Sequence, residues 1–270
     1  MQALRHYLLA LQFFTRIPVT GRLVAWVGFS PDMLRASAAH FPGIGWIVGA
    51  AGAGTYAAAH AALAPSPFAP LAAAVLCCAA TAWMTGGFHE DGLADVADGL
   101  GGSADRERAL DIMKDSRLGA YGALALVLAL LAKISLLAVL GSHGLAAAAA
   151  ALALAHVISR FWPLCLVRAL AHVGDTARSK SKPLAERITA RALAAAGLWC
   201  VAPLALYAGL QPPGALALGV LGSALAALWM ARWFARRLQG FTGDCLGATQ
   251  QVCEIAFYLG AAVAVLRSAA

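Results

Sequence analysis

Charge is scarce in this chain. Asp, Glu, Lys and Arg together make up 12% of its 270 residues against 61% apolar residues, and mean hydropathy is +0.74. A soluble domain of this length needs far more charged surface, so that class is excluded. The six cysteines lack C-x-x-C spacing and the histidines lack zinc-ligand spacing, which argues against a thiolate or zinc centre. The apolar run at residues 7–14 is short and no Ala-x-Ala site follows it, so it reads as an interfacial amphipathic helix and not as a signal peptide. There is no internal repeat and no long linker. A single membrane-embedded catalytic domain is expected over 1–270, with an interfacial segment at 1–40, an acidic segment at 89–117 and a basic segment at 171–190.

What is present is long apolar sequence. Tracts 36–88, 118–159, 192–231 and 245–266 are almost free of charge. A bilayer-spanning helix takes about 20 apolar residues, so each of the first three has room for two spans. Pro65-Ser66-Pro67 with Pro70, Gly141-Ser142-His143-Gly144 and Gln211-Pro212-Pro213-Gly214 divide them. The expected fold is an all-α polytopic membrane bundle of about seven transmembrane helices, at 42–64, 69–88, 118–140, 145–167, 190–210, 214–232 and 246–266. Gly45-x-x-x-Gly49, with Gly52 and Gly54, suits close helix approach in lipid.

None of the three dividing loops carries Lys or Arg. Apart from Lys133, Arg160 and Arg267, every basic residue falls before the first span or after the second, fourth or sixth. The positive-inside rule then puts the N-terminus and the acidic segment on the cytoplasmic face, and the C-terminus outside. The net charge of +7 is spread over short loops beside the bilayer, where orientation and anionic headgroups account for it, so nucleic acid is not an expected partner. Lys133 and Arg160 are candidates for snorkelling or interhelical pairing. A homo-oligomer is compatible with these features.

Against this background, residues 90–98 concentrate four carboxylates: Glu90, Asp91, Asp95 and Asp98. The three aspartates fall at i, i+4 and i+7, so a helix turns them to one side, between small residues that let a ligand approach. A hard dication such as Mg²⁺, which prefers carboxylate oxygen and keeps positions open for phosphate, makes such a cluster tolerable and useful. The alternative is a merely solvated loop. Ser103 is expected to cap a short helix over about 104–116, leading to Lys114 and Arg117, which are placed to hold phosphate oxygens beside accessible glycine N–H groups. His89 adjoins the acids and is a candidate for proton transfer. A second polar group comprises Asp244, Gln250, Gln251 and Glu254; Glu254 lies within the last span, where an acid is costly, and its alternative role is an interhelical partner for a base such as Arg160. Arg178, Lys180 and Lys182 form a basic stretch suited to an anionic substrate or to lipid headgroups.

The run from His89 to Gly99, the run from Ile112 to Gly122 (Ile-Met-Lys-Asp-Ser-Arg-Leu-Gly-Ala-Tyr-Gly) and Thr242-Gly243-Asp244-Cys245-Leu246-Gly247-Ala248 resemble cobalamin synthase, the adenosylcobinamide-GDP ribazoletransferase family of bacteria. Leu11-Gln12-Phe13-Phe14-Thr15-Arg16-Ile17-Pro18 and Ser181-Lys182-Pro183 extend the resemblance over nearly the whole chain. It implies that a hydroxyl of α-ribazole, or of its 5′-phosphate, attacks the cobinamide-side phosphorus of adenosylcobinamide-GDP with release of GMP, aided by Mg²⁺ in the cytoplasmic membrane. Catalytic roles then fall to Glu90, Asp91, Asp95, Asp98, Lys114 and Arg117. Metal ligation falls to Asp91, Asp95, Asp98 and Asp244, and contact with substrate phosphate to Arg178, Lys180, Lys182 and Glu254. Two rival readings are a CDP-alcohol phosphotransferase, whose usual Ala-Arg pair between aspartates is absent, and a cation-coupled transporter, which Glu254 keeps in play.

Overall fold

In the computed structural model, residues 1–174 and 188–269 are described; Arg178, Lys180 and Lys182 lie outside them. The chain runs through α1 (Gln2–Phe14), α2 (Arg22–Val27), α3 (Pro31–Ser37), a short 3-10 turn (Ala38–His40), α4 (Phe41–Leu63), α5 (Ala69–Thr85), α6 (Phe88–Gly102), α7 (Arg106–Met113), α8 (Ala120–Ser142), α9 (Leu145–Ala169), α10 (Ala190–Leu210), α11 (Pro213–Arg237) and α12 (Gly243–Ala269). Proline stands in the first turn of α3, α4, α5 and α11, where its missing N–H is no loss. These starts agree with the expected loops.

Among the described residues, α8, α9, α10, α11 and α12 are long and apolar enough to cross a membrane. A sixth crossing is reached only by joining α5 and α6, which are bent by 91° at their junction. The expected count was about seven, and α4 and α5 occupy the two remaining expected places. α4 has the length, but five glycines together with Thr55, Tyr56 and His60 dilute its apolarity; α5 has only 17 residues. The expected second span, to residue 88, stops earlier because Gly86 and Gly87 both adopt positive φ (73° and 71°) and turn the chain sharply into α6.

α9 and α12 form the centre, with 72% and 61% of their apolar windows buried against 17% for α8, whose Leu124, Leu128 and Leu131 face outward. α4 docks on α9 through glycine. A Cβ at Gly49 would lie 2.9 Å from the Ala153 carbonyl oxygen, and one at Gly45 would collide with that of His156. Gly54, by contrast, faces open space. At one end of the bundle, short hydrogen bonds gather the acidic segment and its neighbours. Arg106 Nε donates to Leu238 O (2.7 Å), Arg237 Nη2 to Ser103 O (2.5 Å) and the Arg16 N–H to Met84 O (2.7 Å). The Val173 and Phe241 N–H groups donate to Phe241 O and Ala171 O, both at 2.9 Å, tying the chain after α9 to the entrance of α12.

Gly45→Leu drives a side chain into the α9 backbone and is expected to abolish folded yield in detergent. Gly54→Ala should raise stability by about 0.5–1 kcal/mol, the ordinary helix preference of Ala over Gly. Thermal melts of the two purified variants check the contrast.

Candidate active site

The acidic stripe runs along α6 from solvent into packing: Asp91 is exposed, Asp95 half-buried and Asp98 buried. Gly92 lets the first turn of α12 close on it. A Cβ at Gly92 would stand 2.7 Å from the Asp244 carbonyl oxygen and 3.1 Å from its Cα, so only hydrogen fits, and Asp244 is brought beside the stripe. Asp95 registers the crowding. Burial first, then the charges of Asp244, Asp91 and Asp98, push its carboxyl up to about 7.

Asp98 has a different task. Its two oxygens accept the N–H groups of Gly119 and Gly122, each at 2.8 Å, at the N-terminus of α8, where the helix dipole favours an anion. A Cβ on either glycine would run into the carboxylate. These N–H groups were expected to be open to phosphate; the buried acid takes them instead. Among the described residues, no three His, Cys, Asp or Glu side chains converge closely enough, as placed, to hold a metal ion.

α7 starts later than expected. Asp105 caps it by accepting the Arg108 N–H at 2.8 Å, while Ser103 Oγ accepts the Asp105 N–H at 3.1 Å. Lys114 sits at its C-terminal end, 3.8 Å from Asp111. Arg117 is 88% exposed and forks onto Asp115 (2.5 Å), which holds that carboxyl down to about 2. Both cations lie at the surface.

Beneath the acids the core turns polar. Lys133 of α8 pairs with Glu254 of α12 at 2.9 Å and donates to Gln251 Oε1 at 3.1 Å; Gln251 Nε2 in turn donates to Glu90 Oε1 at 3.1 Å. Gln250 Nε2 (2.6 Å) and the Tyr258 hydroxyl (3.1 Å) donate to Glu254, and Gln250 also donates to Ser159 of α9. His156 Nδ1 is 3.5 Å from Glu254, and Arg160 donates to the His156 carbonyl. Glu254 thus pairs with a base as the alternative reading held, but the ion pair is with Lys133 and not with Arg160. Lys133 and Glu254 side chains are 5% and 2% exposed, which places Glu254 inside the bundle. Gln250 belongs to the polar group read from the sequence; Tyr258 and His156 were not singled out, although i,i+4 spacing from Glu254 and Arg160 was the available signal. The network borders a recess of about 180 Å³, lined also by Thr81 and Thr85, where His89 Nε2, Glu90 Oε2 and Arg160 Nε are buried without hydrogen-bond partners.

The family model for cobalamin-5-phosphate synthase matches residues 6–262 of this sequence, which takes in the acidic stripe, Asp244 and Glu254. The chain belongs to the cobalamin-5-phosphate synthase family. Within that family it is 60% identical to the adenosylcobinamide-GDP ribazoletransferase of Polaromonas naphthalenivorans, over 98% of this chain and 100% of that one. It is 48% identical to that of Leptothrix cholodnii (95% and 94%) and 40% identical to that of Shewanella amazonensis (94% and 93%). No solved structure matches the chain.

Two variants test the energetics of this synthase-family site. Glu254→Gln leaves Lys133 buried without its counter-ion and should cost about 3–5 kcal/mol, part of it restored by adding Lys133→Met; a thermal-melt double-mutant cycle reads this. For Asp95, the folded carboxyl holds its proton up to about pH 7 and the unfolded one releases it near 4, so stability drains away as pH rises through that window. Asp95→Asn should therefore melt higher than wild type at pH 8 and lose the advantage by pH 4.

Proposed function

We propose that this chain joins adenosylcobinamide-GDP to α-ribazole or its 5′-phosphate and releases GMP. The observation that carries the reading is that relatives bearing that activity in their names match from end to end, at up to 60% identity, across the residues that build the acidic face. A ribose hydroxyl oxygen bonds to the cobinamide-side phosphorus as the bond from that phosphorus to the GMP oxygen breaks, and the hydroxyl proton passes to a carboxylate. Glu90 suits that acceptor role: Gln251 fixes one oxygen, and the other has no partner. Lys114 and Arg117, exposed at the end of α7 and just beyond it, stabilise phosphate charge. Arg178, Lys180 and Lys182 add cationic charge from the segment after α9.

Asp91, Asp95 and Asp244 suit Mg²⁺ by donor chemistry: hard oxygens crowded enough to lift the Asp95 carboxyl, with Asp98 seating the α8 terminus behind them. Held there, the ion would neutralise diphosphate charge. The positive-inside distribution supports a bundle of seven spans in the inner membrane, with the N-terminus and the acidic face in the cytoplasm.

Purified protein in lipid, supplied with both substrates, should release GMP only when Mg²⁺ is present. Asp95→Asn should reduce that release by at least about 100-fold, as loss of a principal electrostatic group does, while the protein still folds. GMP release at wild-type rate from this variant contradicts the site, and no release from wild type contradicts the function.

A further inference from the structure

Lys114 and Arg117 bring positive charge to one end of the acidic stripe only. Arg117 lies two residues before Gly119, whose N–H donates to Asp98, and Lys114 three residues before that. Each already leans on an acid of its own, Asp115 and Asp111. The opposite end of the stripe, at Asp91, has a different cation nearby. It is Arg16, two residues beyond the end of α1.

Packing carries Arg16 there. Phe13 and Phe14 close α1 and meet Phe88, the first residue of α6, edge-on, with centroids 6.0 and 6.3 Å apart. Phe88 stands three residues before Asp91 and seven before Asp95, so the helix turns all three to one face and α1 ends against the head of the stripe. The chain around Arg16 is then pinned. Thr15 Oγ1 donates to Leu11 O (2.7 Å) and accepts the Ile17 N–H (3.1 Å), the Arg16 N–H donates to Met84 O (2.7 Å), and Gln12 Nε2 donates to Val19 O (3.3 Å). The side chain passes over the corner between α5 and α6, where a Cβ at Gly86 would stand 3.0 Å from Arg16 Nε.

The guanidinium mounted in this way is exposed, and among the described residues no acid lies within ion-pair distance of it. Its planar fork of donors therefore stays free beside a row of carboxylates. A phosphate group is the anion that such a fork matches in shape and charge.

Resting on the transfer proposed above, we infer that Arg16 binds the diphosphate of the nucleotide substrate from the Asp91 end, so that cations flank the stripe at both ends. A lipid phosphate offers an arginine the same chemistry, and the two sources differ in which ligand registers its loss.

The test is equilibrium binding of GDP, in buffer containing Mg²⁺, to the full chain in nanodiscs of zwitterionic lipid. Arg16→Ala should weaken binding by at least about tenfold, the effect of losing a charge-assisted hydrogen bond. Arg16→Lys, which keeps the charge without the fork, should fall between the two. Arg267→Ala, at the far end of α12, should bind as the wild type does. Unchanged GDP affinity in a normally melting Arg16→Ala protein, or no GDP binding by the wild type, overturns the assignment. So does a variant that keeps its GDP affinity but loses thermal stabilisation by anionic lipid, the result a headgroup contact gives. If Arg16→Ala does not fold, Arg16→Gln is read in its place by the same criteria. GMP release is measured separately: a wild type that releases GMP while Arg16→Ala keeps its GDP affinity loses only this assignment, and one that binds GDP through Arg16 without releasing GMP loses only the transfer.

Discussion

The buried Lys133–Glu254 pair is the constraint around which the bundle is organised. Along α12, Cys245 and Ala248 pack in one apolar cluster, then Gln250, Gln251 and Glu254 intervene, and Phe257, Tyr258 and Ala261 belong to another. α9 repeats the order in reverse, with Ile158 in the second cluster, Ser159 and Arg160 between, and Leu164 in the first. A charged layer between two apolar layers is expensive to bury, and it holds because Lys133 and Glu254 pair and gain several further hydrogen bonds, while Arg160 donates to the His156 carbonyl. That demand fixes the register of α8 and α9 against α12. A helix displaced by one turn would strand a charge where no water reaches it.

The acidic face inherits its geometry from this layer. Gln251 reaches from the network to Glu90, and two residues further along α6 Gly92 lets Asp244 close on the stripe. Asp98 then secures the far end by accepting two N–H groups of α8. Two helices, α12 and α8, therefore converge on one short acidic helix, and like charges are held together by forces applied elsewhere. The raised Asp95 carboxyl, lifted by burial and then by its acidic neighbours, is the cost of that arrangement and, in the proposed reaction, also its use, since crowded carboxylates gain most from a dication.

Much of this was legible in the sequence, and what was not has a common cause. The helices, the Pro and Gly breaks between them and the i, i+4, i+7 acid stripe are local patterns and were read directly. So was the alternative that Glu254 serves as an interhelical partner for a base. Which base it finds depends on how α8 and α9 pack against α12, and Lys133 lies 121 positions away in the chain, beyond any periodicity argument. The same holds for Gly119 and Gly122: their motif signals exposed N–H groups, but the acid that occupies them comes from an earlier helix. The right-angled turn at Gly86-Gly87 was hidden because two glycines in an apolar tract do not by themselves announce positive φ.

The measurement that most directly tests the central claim is Mn²⁺ binding followed by electron paramagnetic resonance in the wild type and in Gly92→Ala. If α6 and α12 must close at Gly92 to assemble the ion-binding acids, the single added methyl, which meets the Asp244 carbonyl and parts the two helices locally without driving a long side chain between them, should leave a protein that melts as a folded bundle yet binds the ion at least about tenfold more weakly, as misplaced ligands do. Equal Mn²⁺ affinity in a folded Gly92→Ala protein would contradict the account.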